Sequence, residues 1–209
     1  MRILLADDHP VVRQGLRRIL AEAFGNMVVG EAGNAQEALE QTRRHKWDVA
    51  LLDISMPGRS GLEVLKEIKQ EKPALPVLVL SIHAEDRYAI RALRAGAAGY
   101  LTKESVPERL VTAIKKIAGG GKYISESLAE TLAAGLTTNF EQSPHKMLSD
   151  REYEVMRMIA SGKTVGAIAR ELSLSEKTIS TFRARILQKM RMKSNAEIIY
   201  YGVRNDLTD

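Results

Sequence analysis

Residues 49–60 read VALLDISMPGRS. Four apolar side chains in succession, Val49 to Leu52, end on a carboxylate, Asp53. A strand with one wet face alternates apolar and polar residues. A run that is apolar at every position is buried on both faces, as in a parallel sheet between two helical layers. Just beyond the loop, Leu62, Leu65 and Ile68 recur at helical spacing. This strand–helix unit repeats in both directions. Ile3-Leu4-Leu5-Ala6 precedes a helical pattern over residues 10–24 (Val12, Leu16, Ile19, Leu20, Ala23), and Met27-Val28-Val29 precedes one over 35–45 (Ala38, Leu39). Val77-Leu78-Val79-Leu80 precedes Tyr88-Ala89-Ile90 and Ala92-Leu93, and Gly99-Tyr100-Leu101 precedes Leu110, Val111, Ile114 and Ile117. Five repeats predict an α/β doubly wound domain on a five-stranded parallel sheet. Strand 1 is expected at the centre with strand 3 beside it, and ligands outside the carboxyl ends of the strands.

After Gly119-Gly120-Gly121 the pattern changes. A Ser/Thr/Asn-rich stretch runs to about residue 147, with Leu128, Leu132 and Leu136 spaced for a short helix. No strand pattern follows. Ser149 and Glu152 form a capping box ahead of Val155, Met158 and Ile159, and Gly162 stops that helix. Thr164 caps residues 165–172, Ser175 caps 176–190, and Ser194 caps a last helix through Ile199. The domain plan is therefore 1–120 (α/β), 121–146 (linker, partly helical) and 147–209 (four helices, all-α).

The 209 residues contain no cysteine, which excludes disulfides, zinc–thiolate sites and cysteine nucleophiles. No apolar run approaches the roughly 20 residues that span a bilayer, and no signal peptide is seen, so a cytoplasmic protein without a membrane partner is expected. Net charge is +5 and unevenly placed. Residues 145–209 hold 12 Lys/Arg against 8 Asp/Glu. Within 176–193, six basic residues stand against the single acid Glu176. A basic helical end suits a polyanion partner, although a solvated helix face has the same composition.

The predicted strand ends carry chemistry. Strand 1 ends at Asp7-Asp8, strand 3 at Asp53, strand 4 at Ser81 and strand 5 at Lys103. The topology brings three carboxylates, a hydroxyl and an ammonium to one edge. Three carboxylates suit a hard divalent cation such as Mg2+. Lys103 can pair with Asp53. A phosphoryl group on Asp53 needs its oxygens neutralised by a metal, a cation and a hydroxyl, and this set supplies all three.

Asp7-Asp8, Asp53 within LLDISMPGRSG, Ser81 within VLVLSIH and Lys103 within GYLTK together resemble the receiver domain of two-component response regulators, over residues 1–120. The resemblance implies a flavodoxin-like fold and phosphorylation of Asp53 by a sensor histidine kinase. It implies that Asp8, Asp53 and the Ser55 backbone carbonyl hold Mg2+, with Asp7 acting through water. It also implies that Ser81 rotates onto the phosphoryl group while Tyr100 swings inward. A sheet-packed Tyr100 is compatible with that role. Two positions depart from the pattern. Ile82 stands where receivers carry a small residue, and its size is expected to restrict access to Asp53. Glu104 replaces the proline that often follows the lysine, which leaves that loop unassigned. Ser55 and His83 flank the site and are expected to tune hydrolysis.

LSDREYEVMRMIASGKTVGAIARELSLSEKTISTFRARILQKMRMKSNAEI resembles the LuxR-type helix-turn-helix domain of the NarL/FixJ group, over residues 147–209. In this motif the second helix presents its N-terminal side chains to the major groove. Ile179, Ile186, Leu187 and Met190 make its packing stripe, with Phe182 at the edge. By resemblance Ser180, Thr181 and Ala184 face bases, where hydroxyls and a methyl suit thymine contact or water-mediated readout. Lys177, Thr178, Arg183, Arg185 and Lys189 suit phosphates. Symmetric dimers read such sites, and Ile198, Ile199 and Val203 on the last helix offer either a dimer face or core packing.

The combined expectation is a homodimeric transcription factor on double-stranded promoter DNA. Its only catalysis is phosphoryl acceptance and autodephosphorylation at Asp53. A metal-dependent phosphatase is the rival, but it leaves the basic half without a purpose.

Overall fold

The computed structural model describes residues 1–56, 59–82, 85–137 and 143–208. The chain forms two compact units, Met1–Ala134 and Gly135–Asp209.

The first unit holds strands β1 (Arg2–Ala6), β2 (Val28–Ala32), β3 (Val49–Asp53), β4 (Val77–Ser81) and β5 (Gly99–Thr102). They pair in parallel in the order β2-β1-β3-β4-β5. Helices α1 (Pro10–Phe24), α2 (Ala35–Arg44), α3 (Gly61–Glu71), α4 (Glu85–Arg94) and α5 (Val106–Ala118) make the crossovers. Every residue of β3 and β4 is buried, as their unbroken apolar runs require. Ile3, Leu5, Val49, Leu51, Leu78, Leu80 and Leu101 point to one face and pack on Leu16 and Leu20 of α1 and Leu110, Ile114 and Ile117 of α5. Alternate residues point to the opposite face, where α2 lies on β1 and β2, α3 on β3 and α4 on β5.

β2 differs from its expected extent. It starts at Val28 and runs on through Gly30 and Glu31, residues that the apolar pattern did not reach. It is an edge strand, so it tolerates polar positions that a central strand does not. The loop after Lys103 is also settled: Lys103–Ser105 form a 3-10 turn leading into α5, and no cis peptide occurs among the described residues.

Helix α6 (Glu126–Thr137) lies in the stretch read as a partly helical linker, and the boundary between the units runs through it. Just before it, Tyr123 makes an isolated parallel bridge to Gly99, and its N–H donates to the Ala98 carbonyl at 2.8 Å. Tyr123 therefore adds a single bridge at the β5 edge of the sheet.

Past α6 the second unit holds a 3-10 turn (Pro144–Met147) and the helices α7 (Asp150–Ala160), α8 (Val165–Glu171), α9 (Glu176–Met190) and α10 (Asn195–Arg204). Each helix starts where a hydroxyl can accept an orphan N–H. Ser149 accepts from Glu152 N, Thr164 from Ala167 N, Ser175 from Thr178 N and Ser194 from Glu197 N. Val155, Ile159, Ile168, Ile179, Ile186 and Ile198 fill the core. Arg157 is buried with them and donates from Nε to the Leu207 carbonyl at 3.1 Å, tying down the chain end. No helix among the described residues is long and apolar enough to cross a membrane.

Candidate functional site

The carboxyl end of the receiver sheet gathers the strand-end residues. β1 delivers Asp7 and Asp8, and β3 delivers Asp53 between β1 and β4. Ser81 closes β4 beside Thr102 of β5, one residue before Lys103. Asp53 is fully buried. Its Oδ1 accepts from the Ser55 N–H at 2.9 Å, and its Oδ2 accepts from Lys103 Nζ at 2.7 Å. Burial pushes the Asp53 carboxyl above its ordinary pKa, against the pull of Lys103. Burial also works against the charge on Lys103. Its attraction to Asp53 and Asp7 outweighs that, so the ammonium titrates above its ordinary value.

Lys103 reaches further than the sequence reading had it. Its Nζ also stands 2.7 Å from Asp7 Oδ2, which makes a second ion pair. Asp7 is buried. Its Oδ1 accepts from the His9 N–H at 2.8 Å, and its carbonyl accepts from Arg13 Nη1 at 2.6 Å. Asp8 is 21% exposed, with Oδ1 2.9 Å from His9 Nδ1. Asp7, Asp8, Asp53 and His9 each place a ligand atom within 4.8 Å of the others. Asp7 Oδ2, Asp8 Oδ1 and Ser55 Oγ are buried oxygens without a hydrogen bond. Such a donor set, poor in compensating hydrogen bonds, fits a divalent cation. His9 was not among the expected site residues. Its place directly after the acidic pair was the available signal.

Tyr100 is fully buried in β5, opposite Val79 of β4. Ser55 is partly buried, and Ile82 is 68% exposed beside the buried Ser81. His83 lies outside the described residues.

In the second unit, Lys177, Ser180, Thr181, Ala184 and Arg185 are exposed along one side of α9. The Thr181 hydroxyl donates to the Lys177 carbonyl at 2.9 Å, which leaves its oxygen as an acceptor. Thr178 is half-buried, with Oγ1 2.8 Å from the capping Ser175 Oγ. Two of the expected phosphate cations are engaged within the unit. Arg183 Nε donates to Asn195 Oδ1 at 2.5 Å, and Lys189 Nζ donates to Glu152 Oε2 at 2.6 Å. Phe182 is half-buried, consistent with packing. On α10, Ile198 is core, whereas Ile199, Tyr200 and Val203 are exposed. Of the three residues named for a dimer face, Ile198 therefore packs in the core, and Ile199 and Val203 stay exposed.

Residues 3–115 match the family model of the response regulator receiver domain, and residues 146–201 match that of the luxR family of bacterial regulatory proteins. The chain belongs to the response regulators. The regulator is a transcription factor of the NarL/FixJ group with a LuxR-type DNA-binding domain. It is 36% identical to the response regulator UvrY of Escherichia coli K12 over 208 residues, 99% of this chain and 95% of that protein. It is 38% identical to GacA of Pseudomonas aeruginosa over 210 residues, 100% of this chain and 98% of that protein. Among solved structures, RcsB of Salmonella enterica serovar Typhimurium, bound to promoter rprA with the phosphomimetic BeF3−, superposes with a TM-score of 0.64 at 29% identity. That match covers 96% of the regulator and 98% of RcsB. A LuxR-family response regulator from Aurantimonas sp. gives 0.61 at 38% identity, covering 66% and 98%.

Proposed function

We propose that a sensor histidine kinase phosphorylates the regulator on Asp53, and that this modification controls binding to double-stranded promoter DNA. The observation that carries the reading is the buried Asp53 carboxylate held by Lys103 Nζ at 2.7 Å, with Ser81 ending the adjacent strand. In the transfer step an Asp53 oxygen attacks phosphorus of the donor's phosphohistidine. The new P–O bond forms as the P–N bond breaks, and the imidazole leaves. Asp8 and Asp53, whose ligand atoms lie together, and the Ser55 carbonyl would hold Mg2+, with Asp7 acting through water. Bound Mg2+ supplies charge neutralisation for the phosphoryl oxygens. Lys103 neutralises a second oxygen, and Ser81 donates its hydroxyl to a third. Rotation of Ser81 frees space into which Tyr100 moves, and this is the two-state element that phosphorylation biases.

The regulator is otherwise not an enzyme; water releases the phosphoryl group from its own Asp53. The active form is a homodimer in the cytoplasm. Ser180, Thr181 and Ala184 of each protomer face base edges. Lys177 and Arg185 face phosphates, and Thr178 stands at the helix N-terminus beside them. RcsB has been solved on promoter DNA and as dimers on DNA, which supports this arrangement.

The test is incubation with acetyl phosphate and Mg2+, followed by intact mass and promoter-fragment binding for wild type and Asp53→Asn. Wild type gains one phosphoryl group and changes its DNA affinity, and the variant does neither. Steady turnover of an outside phosphomonoester with no change in DNA affinity would overturn the reading.

A further inference from the structure

His9 has an imidazole that the proposed chemistry does not use. It is the N-cap of α1, yet its side chain caps nothing. The ring is turned instead toward the acidic pair: Nδ1 stands 2.9 Å from Asp8 Oδ1 and 3.3 Å from Asp7 Oδ1. Two donors bound at right angles to one cation at about 2.1 Å lie about 3.0 Å apart. The His9–Asp8 separation therefore matches neighbouring positions in one coordination shell. Pro10, with its fixed φ at the first helical position, and the His9 N–H bond to Asp7 Oδ1 hold the backbone beneath the ring.

We infer that His9 Nδ1 is a nitrogen ligand of the receiver's cation site. The inference rests on the cation-site reading above and extends it from an all-oxygen site to a mixed one. Mg2+ takes oxygen ligands and gains little from an imidazole, whereas Ni2+ accepts imidazole nitrogen well. The site therefore favours a nitrogen-accepting first-row divalent cation more strongly than its carboxylates alone would. Such an ion competes with Mg2+ at the phosphoacceptor.

Calorimetric titration of the untagged chain with Mg2+ and with Ni2+ separately tests this, for wild type, His9→Ala and Asp8→Asn. A carboxylate site already prefers Ni2+ to some degree, so the informative quantity is the part that depends on His9. His9 is 62% exposed and caps nothing, so its removal leaves the fold in place. The expected result is a loss of Ni2+ affinity of about tenfold or more in His9→Ala. Mg2+ affinity stays within about twofold, and Asp8→Asn loses both ions. An unchanged Ni2+/Mg2+ affinity ratio in His9→Ala overturns the inference and leaves the Mg2+ reading standing. So does a parallel rise in affinity for both ions, the signature of an imidazolium that only balances the acidic pair. Ni2+ binding that survives both His9→Ala and Asp8→Asn places the ion away from this cluster and overturns it too. Failure of wild type to bind Mg2+ overturns both.

Discussion

At the scale of single residues, Asp53 carries a conflict between folding and function. Burial raises its carboxyl pKa even with Lys103 alongside, so the folded state holds this proton to higher pH than the unfolded chain does. Between the two titrations the folded state binds more protons, and stability falls as pH rises. Without Mg2+, the destabilisation is complete above the folded-state pKa and vanishes below the unfolded one. Asp53→Asn should therefore raise the melting temperature at neutral pH, and the advantage over wild type should shrink as pH is lowered through the Asp53 titration. Added Mg2+ should stabilise wild type by mass action and leave the variant nearly unmoved. Melting curves against pH, with and without Mg2+, check both statements. That Asp53, Ser81 and Lys103 converge was legible in the sequence, because each ends a buried run and topology does the rest. The Lys103–Asp7 ion pair was not. A lysine's reach across two strand ends depends on side-chain direction, which periodicity does not encode.

At the scale of elements, close approaches set the geometry. Gly61 opens α3, and a Cβ there would stand 2.4 Å from Ile54 Cα and 2.6 Å from the Asp53 carbonyl oxygen. The helix start is thus pressed against the end of β3 at Asp53 and the loop that follows it through Ser55. Gly61→Ala must push that loop aside. It should cost about 1–3 kcal/mol in denaturant unfolding and slow phosphoryl uptake from acetyl phosphate.

In the second unit, one carboxylate joins two helices. Glu152 is buried, completes the capping box of α7 by accepting from the Ser149 N–H, and receives Lys189 of α9. Burial opposes the charge on Glu152, but its bonds to Lys189 and Ser149 win, so it titrates below its ordinary range. Its stabilising contribution is present above the unfolded carboxylate pKa and disappears as pH falls through the folded one. Lys189→Met should cost about 1–2 kcal/mol at neutral pH, less than a fully buried pair because Lys189 is 41% exposed. The deficit should close in acid. Its promoter binding should keep the wild-type salt slope, whereas Lys177→Ala should flatten the slope by about one phosphate contact. An equal change of slope in both variants would show that Lys189 meets a phosphate despite its bond to Glu152. The capping box itself was read from Ser149 and Glu152 at their spacing. Its third member lies 37 residues on, beyond any local pattern.

At the scale of the whole molecule, each unit has its own core, and on the function proposed above chemistry at Asp53 is turned into affinity at α9. Two routes are open: release of α9 for DNA, or pairing of two copies on it. Release alone changes affinity by the same factor at every salt concentration, because the same cations meet the same phosphates. Pairing brings a second set of cations. The expected outcome is a steeper salt dependence of promoter binding after acetyl phosphate treatment, by up to about twofold in slope. Parallel lines before and after treatment would assign control to release.

The order of elements, the two kinds of domain and the residue types at the strand ends are all legible along the chain. These follow from hydrophobic period, capping residues and the rule that parallel strands are buried on both faces. The tertiary structure alone decided which groups touch. It placed His9 over the acidic pair, carried Lys103 to two carboxylates, and gave Arg183 and Lys189 the partners Asn195 and Glu152. It also divided Ile198 from Ile199 on α10. Periodicity assigns a residue to a face. Contact depends on the few ångströms set by packing between elements far apart in the chain, and in this regulator those distances decide the chemistry.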